Sequence, residues 1–130
     1  MKREHGFTVI ELIVVILFLA ATATILLVQK GNLAAANRDS QRKTAINAMY
    51  YSLEEVYYEA NGSYPAKIDS KTLRAMDPEL FKDPYGVALG ESDSDYRYEG
   101  TNCDNNKCKG YSLRANLEKE DDYVKTNRND

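Results

Sequence analysis

Residues 7–28 read FTVIELIVVILFLAATATILLV, an apolar run carrying a single acid, Glu11. At about 1.5 Å rise per residue the run makes a helix of about 33 Å, enough for a hydrocarbon core of about 30 Å. A carboxylate at that depth costs roughly 3 kcal/mol, so it tends to mark function. A single-pass anchor has no use for it. A helix that must find a charged partner in a neighbouring subunit does.

Lys2 and Arg3 precede the run, so the positive-inside rule puts the N-terminus in the cytoplasm and the rest outside. Three readings compete for this segment. It could be a secretory signal peptide with Ala21-Thr22-Ala23 as the cleavage site, or a plain membrane anchor. Both leave Glu11 unexplained. The third treats MKREHG as a short leader removed after Gly6, which makes Phe7 the new N-terminus, and this reading is preferred.

Gly6-Phe7-Thr8-Val9-Ile10-Glu11-Leu12 resembles the class III signal of type IV pilins and of the pseudopilins of type II secretion. The resemblance implies a prepilin peptidase that cuts after Gly6 and methylates the new terminal amine of Phe7. It also implies that Glu11 pairs with a neighbour's terminal amine during assembly. Residues 38–65, RDSQRKTAINAMYYSLEEVYYEANGSYP, resemble the major-pseudopilin-like branch. One departure is plain: many pilins carry a proline inside the apolar segment, and none lies between Phe7 and Ala60 here. Any local melting of the helix on assembly is therefore placed at Gly31-Asn32.

The 130 residues leave room for one helix and one small domain. Net charge is −3, and Lys2 and Arg3 against Glu4 in the leader leave the mature chain near −4. No surface basic enough for direct nucleic-acid binding is expected. The sole histidine, His5, is in the leader, and no G-x-S-x-G, phosphate-binding glycine loop or cysteine with a base partner occurs. An enzyme is not expected, nor a cofactor.

After the apolar run, Ile46, Met49, Leu53, Val56, Tyr57 and Ala60 recur at helical spacing opposite Asn47, Glu54, Glu55 and Glu59. Such a stripe needs a sheet to cover it. Asp39 and Lys43 stand i,i+4, and the patch with Arg38 and Arg42 reads as a solvated face or as an inter-subunit contact. Asn61-Gly62 and Pro65 stop the helix. An unbroken helix over residues 7–60 would run about 80 Å.

Residues 62–94 read as a connecting loop with one short helical stretch, residues 70–76 behind Asp69, and a turn at Asp83-Pro84-Tyr85-Gly86. Beyond it the period becomes 2. Tyr96 and Tyr98 alternate with Arg97 and Glu99, and Tyr111, Leu113, Ala115 and Leu117 alternate with Ser112, Arg114 and Asn116. The turn-rich CDNNKC between them makes a hairpin, and Tyr123-Val124 adds a possible third strand. Cys103 and Cys108 would lie outside the cytoplasm, where a disulfide persists; a metal site is disfavoured, because two cysteines are half a tetrahedral set. The acids Asp93, Asp95, Asp104, Asp121 and Asp122 match no calcium-loop spacing and read as solvated surface.

The expectation is an α+β subunit: a long N-terminal helix, its first half transmembrane and its second half amphipathic, packed on a small antiparallel β-sheet. Its parts are a leader (1–6), a transmembrane and assembly helix (7–30), an amphipathic helix (31–61), a connecting loop (62–94), a sheet (95–124) and a polar tail (125–130). By resemblance it would be a structural subunit of a type IV pilus. The partners implied are prepilin peptidase, further copies in a helical filament, a membrane platform protein and an assembly ATPase, with inner-membrane insertion before assembly. The alternatives are a pseudopilin of a secretion or DNA-uptake piston, and, from another class, a bitopic membrane-anchored binding protein.

Overall fold

The computed structural model describes residues 6–128, so most of the expected leader, including Lys2 and Arg3 on which the topology expectation rests, lies outside the described residues. The fold is α+β, one long N-terminal helix packed against a small antiparallel four-stranded sheet. Helix α1 (Val9–Tyr51) leads through a π-helical turn (Ser52–Tyr57) into a last short turn, α2 (Tyr58–Asn61). The chain divides into two compact units at Ala34/Ala35, the apolar part of α1 and a head domain.

In the head domain, strands β2 (Tyr96–Asp104) and β3 (Lys107–Ala115) form the expected hairpin. Asp104 pairs with Lys107, which leaves Asn105 and Asn106 as a two-residue loop with φ of 47° and 67°. Two consecutive left-handed residues are what a type I′ hairpin demands, and asparagine tolerates them. The other edge of β3 is shared by two short strands. Strand β1 (Tyr64–Pro65) pairs with its first two residues and β4 (Tyr123–Thr126) with its last four.

The sheet covers the helix as the apolar stripe required. Ile46, Met49 and Leu53 are fully buried against a layer that includes Tyr64, Tyr96, Tyr111, Leu113 and Ala115. The alternation along β3 places Tyr111, Leu113 and Ala115 inside and Arg114 outside, while Leu117, beyond the strand, is only half-buried.

The stripe fails after Leu53. Val56 and Ala60, expected inside, are exposed, and Glu54, expected outside, is buried. The cause is the π-helical turn, in which the N–H of Tyr58 reaches the carbonyl of Leu53, five residues back. The wider turn lags the 100° step of an α-helix, so the buried face slips and Glu54 rotates inward. There its carboxylate accepts the hydroxyls of Tyr111 (2.8 Å) and Tyr64 (3.0 Å) and the N–H of Arg128 (3.3 Å). Burial, and then Glu54 itself, pushes both tyrosine hydroxyls well above their usual range. Gly62 closes α2 in the left-handed region (φ 66°), with its N–H on the carbonyl of Tyr58, as Asn61-Gly62 led one to expect.

The connecting segment is more structured than its composition suggests. The helix expected over residues 70–76 is absent: the carboxylate of Asp69 takes the N–H groups of Lys71 and Thr72, and only one helical turn follows. Side-chain bonds here replace the helical ladder. A 3-10 helix (Pro78–Phe81) forms instead, capped by the Asp77 carboxylate on the N–H of Glu79. The turn at Asp83 closes as expected, with Gly86 donating to the Asp83 carbonyl. The polar tail expected from residue 125 is corrected too. Lys125 and Thr126 belong to β4, and Asn127 is buried, its amide oxygen accepting the N–H of Tyr111 (3.1 Å).

Cys103 and Cys108 stand directly opposite each other in the hairpin and are disulfide-bonded, their Cα atoms 3.9 Å apart. Gly100 makes the seat: a β-carbon there would lie 2.6 Å from the Cys108 sulfur and 3.0 Å from that of Cys103. Closing so short a loop removes unfolded-chain entropy worth about 2 kcal/mol. Cys103→Ser should therefore cost about that much in the denaturant unfolding of the head domain, with the hairpin loosened. Wild-type protein should take up no thiol reagent until reduced, and an unchanged midpoint in the variant would refute the estimate.

Candidate functional site

Every residue from 6 to 34 is exposed, so within this unit no side chain is buried. Phe7, Val9, Ile10, Phe18, Leu27 and Leu33 each keep more than two-thirds of their surface open. The helix is long and apolar enough to cross a membrane. A helix apolar all round is stable only in lipid or among other helices. Its polar side chains are already tied down locally. The hydroxyl of Thr22 donates to the carbonyls of Phe18 and Leu19, and that of Thr24 to Ala21, so neither is left unsatisfied. The helix is continuous through Gly31-Asn32.

Gly6 and Phe7 lie ahead of the first turn and are exposed. Glu11 sits in that first turn. Its carboxylate folds back on the N–H of Thr8 (3.4 Å), while its own N–H approaches the Thr8 hydroxyl (3.3 Å). This reciprocal pair is a capping box, written in the sequence as T-x-x-E just before an apolar run. The signal was legible and was missed. Both bonds are long, so the carboxylate keeps most of its capacity to accept a stronger donor.

The Arg38-Asp39-Arg42-Lys43 patch is not a solvated face. Asp39 and Arg42 are buried, and the expected Asp39–Lys43 pair does not form. Asp39 instead takes the guanidinium of Arg42 (2.8 Å) and the N–H groups of Glu118 and Lys119. Arg42 also grips Asp95 (2.7 Å) and Glu118 (2.8 Å), Arg38 forms a two-pronged pair with Glu118, and Lys43 holds Glu120. Burial alone would raise the proton affinity of Asp39, but the two N–H groups and the guanidinium outweigh it and hold the carboxyl low. Arg38, then Arg42, pull the Glu118 carboxyl down to about 2. The patch thus latches the loops before β2 and after β3 onto the helix. Contacts some 80 residues apart leave no local mark in a sequence.

Asp95 is spent on Arg42, and Asp122 stands 3.7 Å from Arg114. Among the described residues no three histidine, cysteine or acidic side chains are grouped to hold a metal ion. No family model, curated protein or solved structure matches the chain.

Proposed function

We propose that the chain is a structural subunit of a type IV pilus-like filament, inserted in a membrane, cleaved after Gly6 and polymerised through its N-terminal helix. One observation carries the reading: a helix exposed and apolar on every side, bearing one acid in its first turn, on the same chain as a folded head domain. Lipid can satisfy the apolar surface of a lone subunit, but it offers the acid no charged partner. A bundle of such helices satisfies both. The terminal amine of Phe7, freed by cleavage, supplies the charge for the Glu11 of a neighbour. Assembly of this kind is heterologous and open, and so grows as a helical filament. A prepilin peptidase, a platform protein and an assembly ATPase are the partners the reading requires.

The likeness of residues 38–65 to pseudopilins supports a second reading, a short extracytoplasmic piston for secretion or DNA uptake. The bitopic binding protein is separated from both by processing. Mass spectrometry should find the mature chain beginning at N-methylated Phe7, and Gly6→Val should leave the leader attached. A start after Ala23, or an intact Met1, would remove the filament reading. Imaging the cell surface with and without the gene then separates pilus from piston.

A further inference from the structure

The head domain has two unlike ends. Beside residues 38–43 of α1 lie the acidic loops, where Asp95, Glu118 and Glu120 are held by Arg42, Arg38 and Lys43, and where Glu91, Asp93 and Asp121 stand exposed. Tyr85 is at this end, its ring 5.6 Å from the Arg42 guanidinium and nearly two-thirds exposed. Beside residues 51–61 runs a trough between the helix and the segment 71–77, floored by Ser52, Val56 and Ala75. Its rim is basic at one end, where Lys71 and Arg74 stand exposed, and acidic at the other, where Glu55 and Asp77 do. The helical rise between residues 42 and 56 separates the two ends by about 20 Å.

The trough has features of an unfilled seat. Ser52 is buried, yet its hydroxyl has no hydrogen-bond partner among the described residues. The π-helical turn leaves Val56 half exposed there, beside Tyr51. Four large apolar side chains of the described head domain are exposed, namely Tyr51, Val56, Tyr85 and Val124. Two mark the trough and a third marks the acidic end. The Lys71–Arg74 end of the rim is complementary in charge to the acidic loops, and the exposed ring of Tyr85 is an apolar surface that the recess at Val56 can cover.

We infer that the head domain binds a second copy of this chain head to tail, the acidic end around Tyr85 of one copy seating in the trough around Val56 of the next. Two different patches meet, so the contact is heterologous and repeats without closing, as a filament needs. The inference rests on the filament reading but specifies a contact that the apolar helices alone leave open. The charges on both rims are exposed, so high salt weakens the contact.

A photo-cross-linking residue at position 56 of the full chain, in membranes, tests it. Dimers should form in which position 56 is joined to residues 83–95 of another copy. Lys71→Glu with Arg74→Glu should cut their yield at least tenfold, and adding Glu91→Lys with Asp93→Lys to the same chain should restore most of it. These four side chains are exposed, and an intact Cys103–Cys108 bond verifies that each variant has folded. Absence of cross-linked dimers, a cross-link to another segment or another protein, or no recovery on double reversal overturns the docking. Imaging the same cells keeps the two readings apart. Filaments with cross-links elsewhere overturn only the docking, and the expected cross-link without filaments overturns only the filament.

Discussion

Arg42→Ala is expected to destabilise the head domain by about 3–5 kcal/mol, the usual cost of removing one partner from a buried ionic cluster. The deletion strands Asp39, Asp95 and Glu118 together, with Asp39 almost wholly out of water. Arg38→Ala, whose pair is about a third exposed and screened by solvent, should cost far less. Near-ultraviolet circular dichroism of the full chain in detergent, followed through urea, reports the head domain through its tyrosines. The cluster also sets an acid limit. Asp39 and Glu118 have folded-state pKa values below their ordinary ones, so their stabilisation is present above about pH 4.5 and is lost as pH falls towards 2. Wild-type stability should fall steeply across that window, and Arg42→Ala should flatten the slope. A variant within 1 kcal/mol of wild type would show that the cluster contributes little.

Glu11→Ala and Glu11→Gln are expected to insert and be cleaved normally and to yield no filaments. Insertion should if anything improve, because the charge is gone from the apolar segment. Assembly should fail because an amine about 4 Å from the carboxylate contributes up to ~4 kcal/mol at an effective dielectric of 20, and neither substitution can replace it. The terminal amine titrates near ~8, and methylation leaves it basic, so it is charged at neutral pH. The capping box supplies a second consequence: Glu11→Gln keeps an acceptor for the Thr8 N–H, so any fraying of the first turn should appear in Glu11→Ala only. Membrane abundance and sheared surface filaments, measured for each variant without a wild-type copy, decide the matter. Normal filament yield from Glu11→Ala would end the pairing role.

What the sequence revealed depended on how local the cause was. The apolar run, the stop at Asn61-Gly62, a hairpin turning within the segment 103–108 and the alternation along β3 each follow from neighbours a few residues apart, and each is present. The expected sheet lacked β1 because Tyr64–Pro65 is too short to show a period, and it exists only because Lys107 and Cys108 offer an edge. Glu54 read as surface because a 3.6 period was carried through a turn that does not keep it. Arg42 read as surface because its three carboxylates arrive from other parts of the chain. At the candidate site, Glu11 and Gly6-Phe7 stood out at once. Thr8 did not, although its spacing to Glu11 carries the signal.

The shell around Glu54 has a consequence for timing. The carboxylate leaves the ribosome 57 residues ahead of the Tyr111 hydroxyl and 74 ahead of the Arg128 N–H that will hold it. Until those arrive only the Tyr64 hydroxyl, ten residues on, can meet the carboxylate, and one such bond is a small reward for burying a charge in a wide turn at Ser52–Tyr57. The nascent helix therefore emerges in the cheaper α-helical phase, with Glu54 in water. The change of phase is expected to wait for β3 and β4 to dock, because contacts of long sequence separation form slowly. The π-helical turn is in this sense a record of the order of events, the mark left on an early element by partners synthesised late.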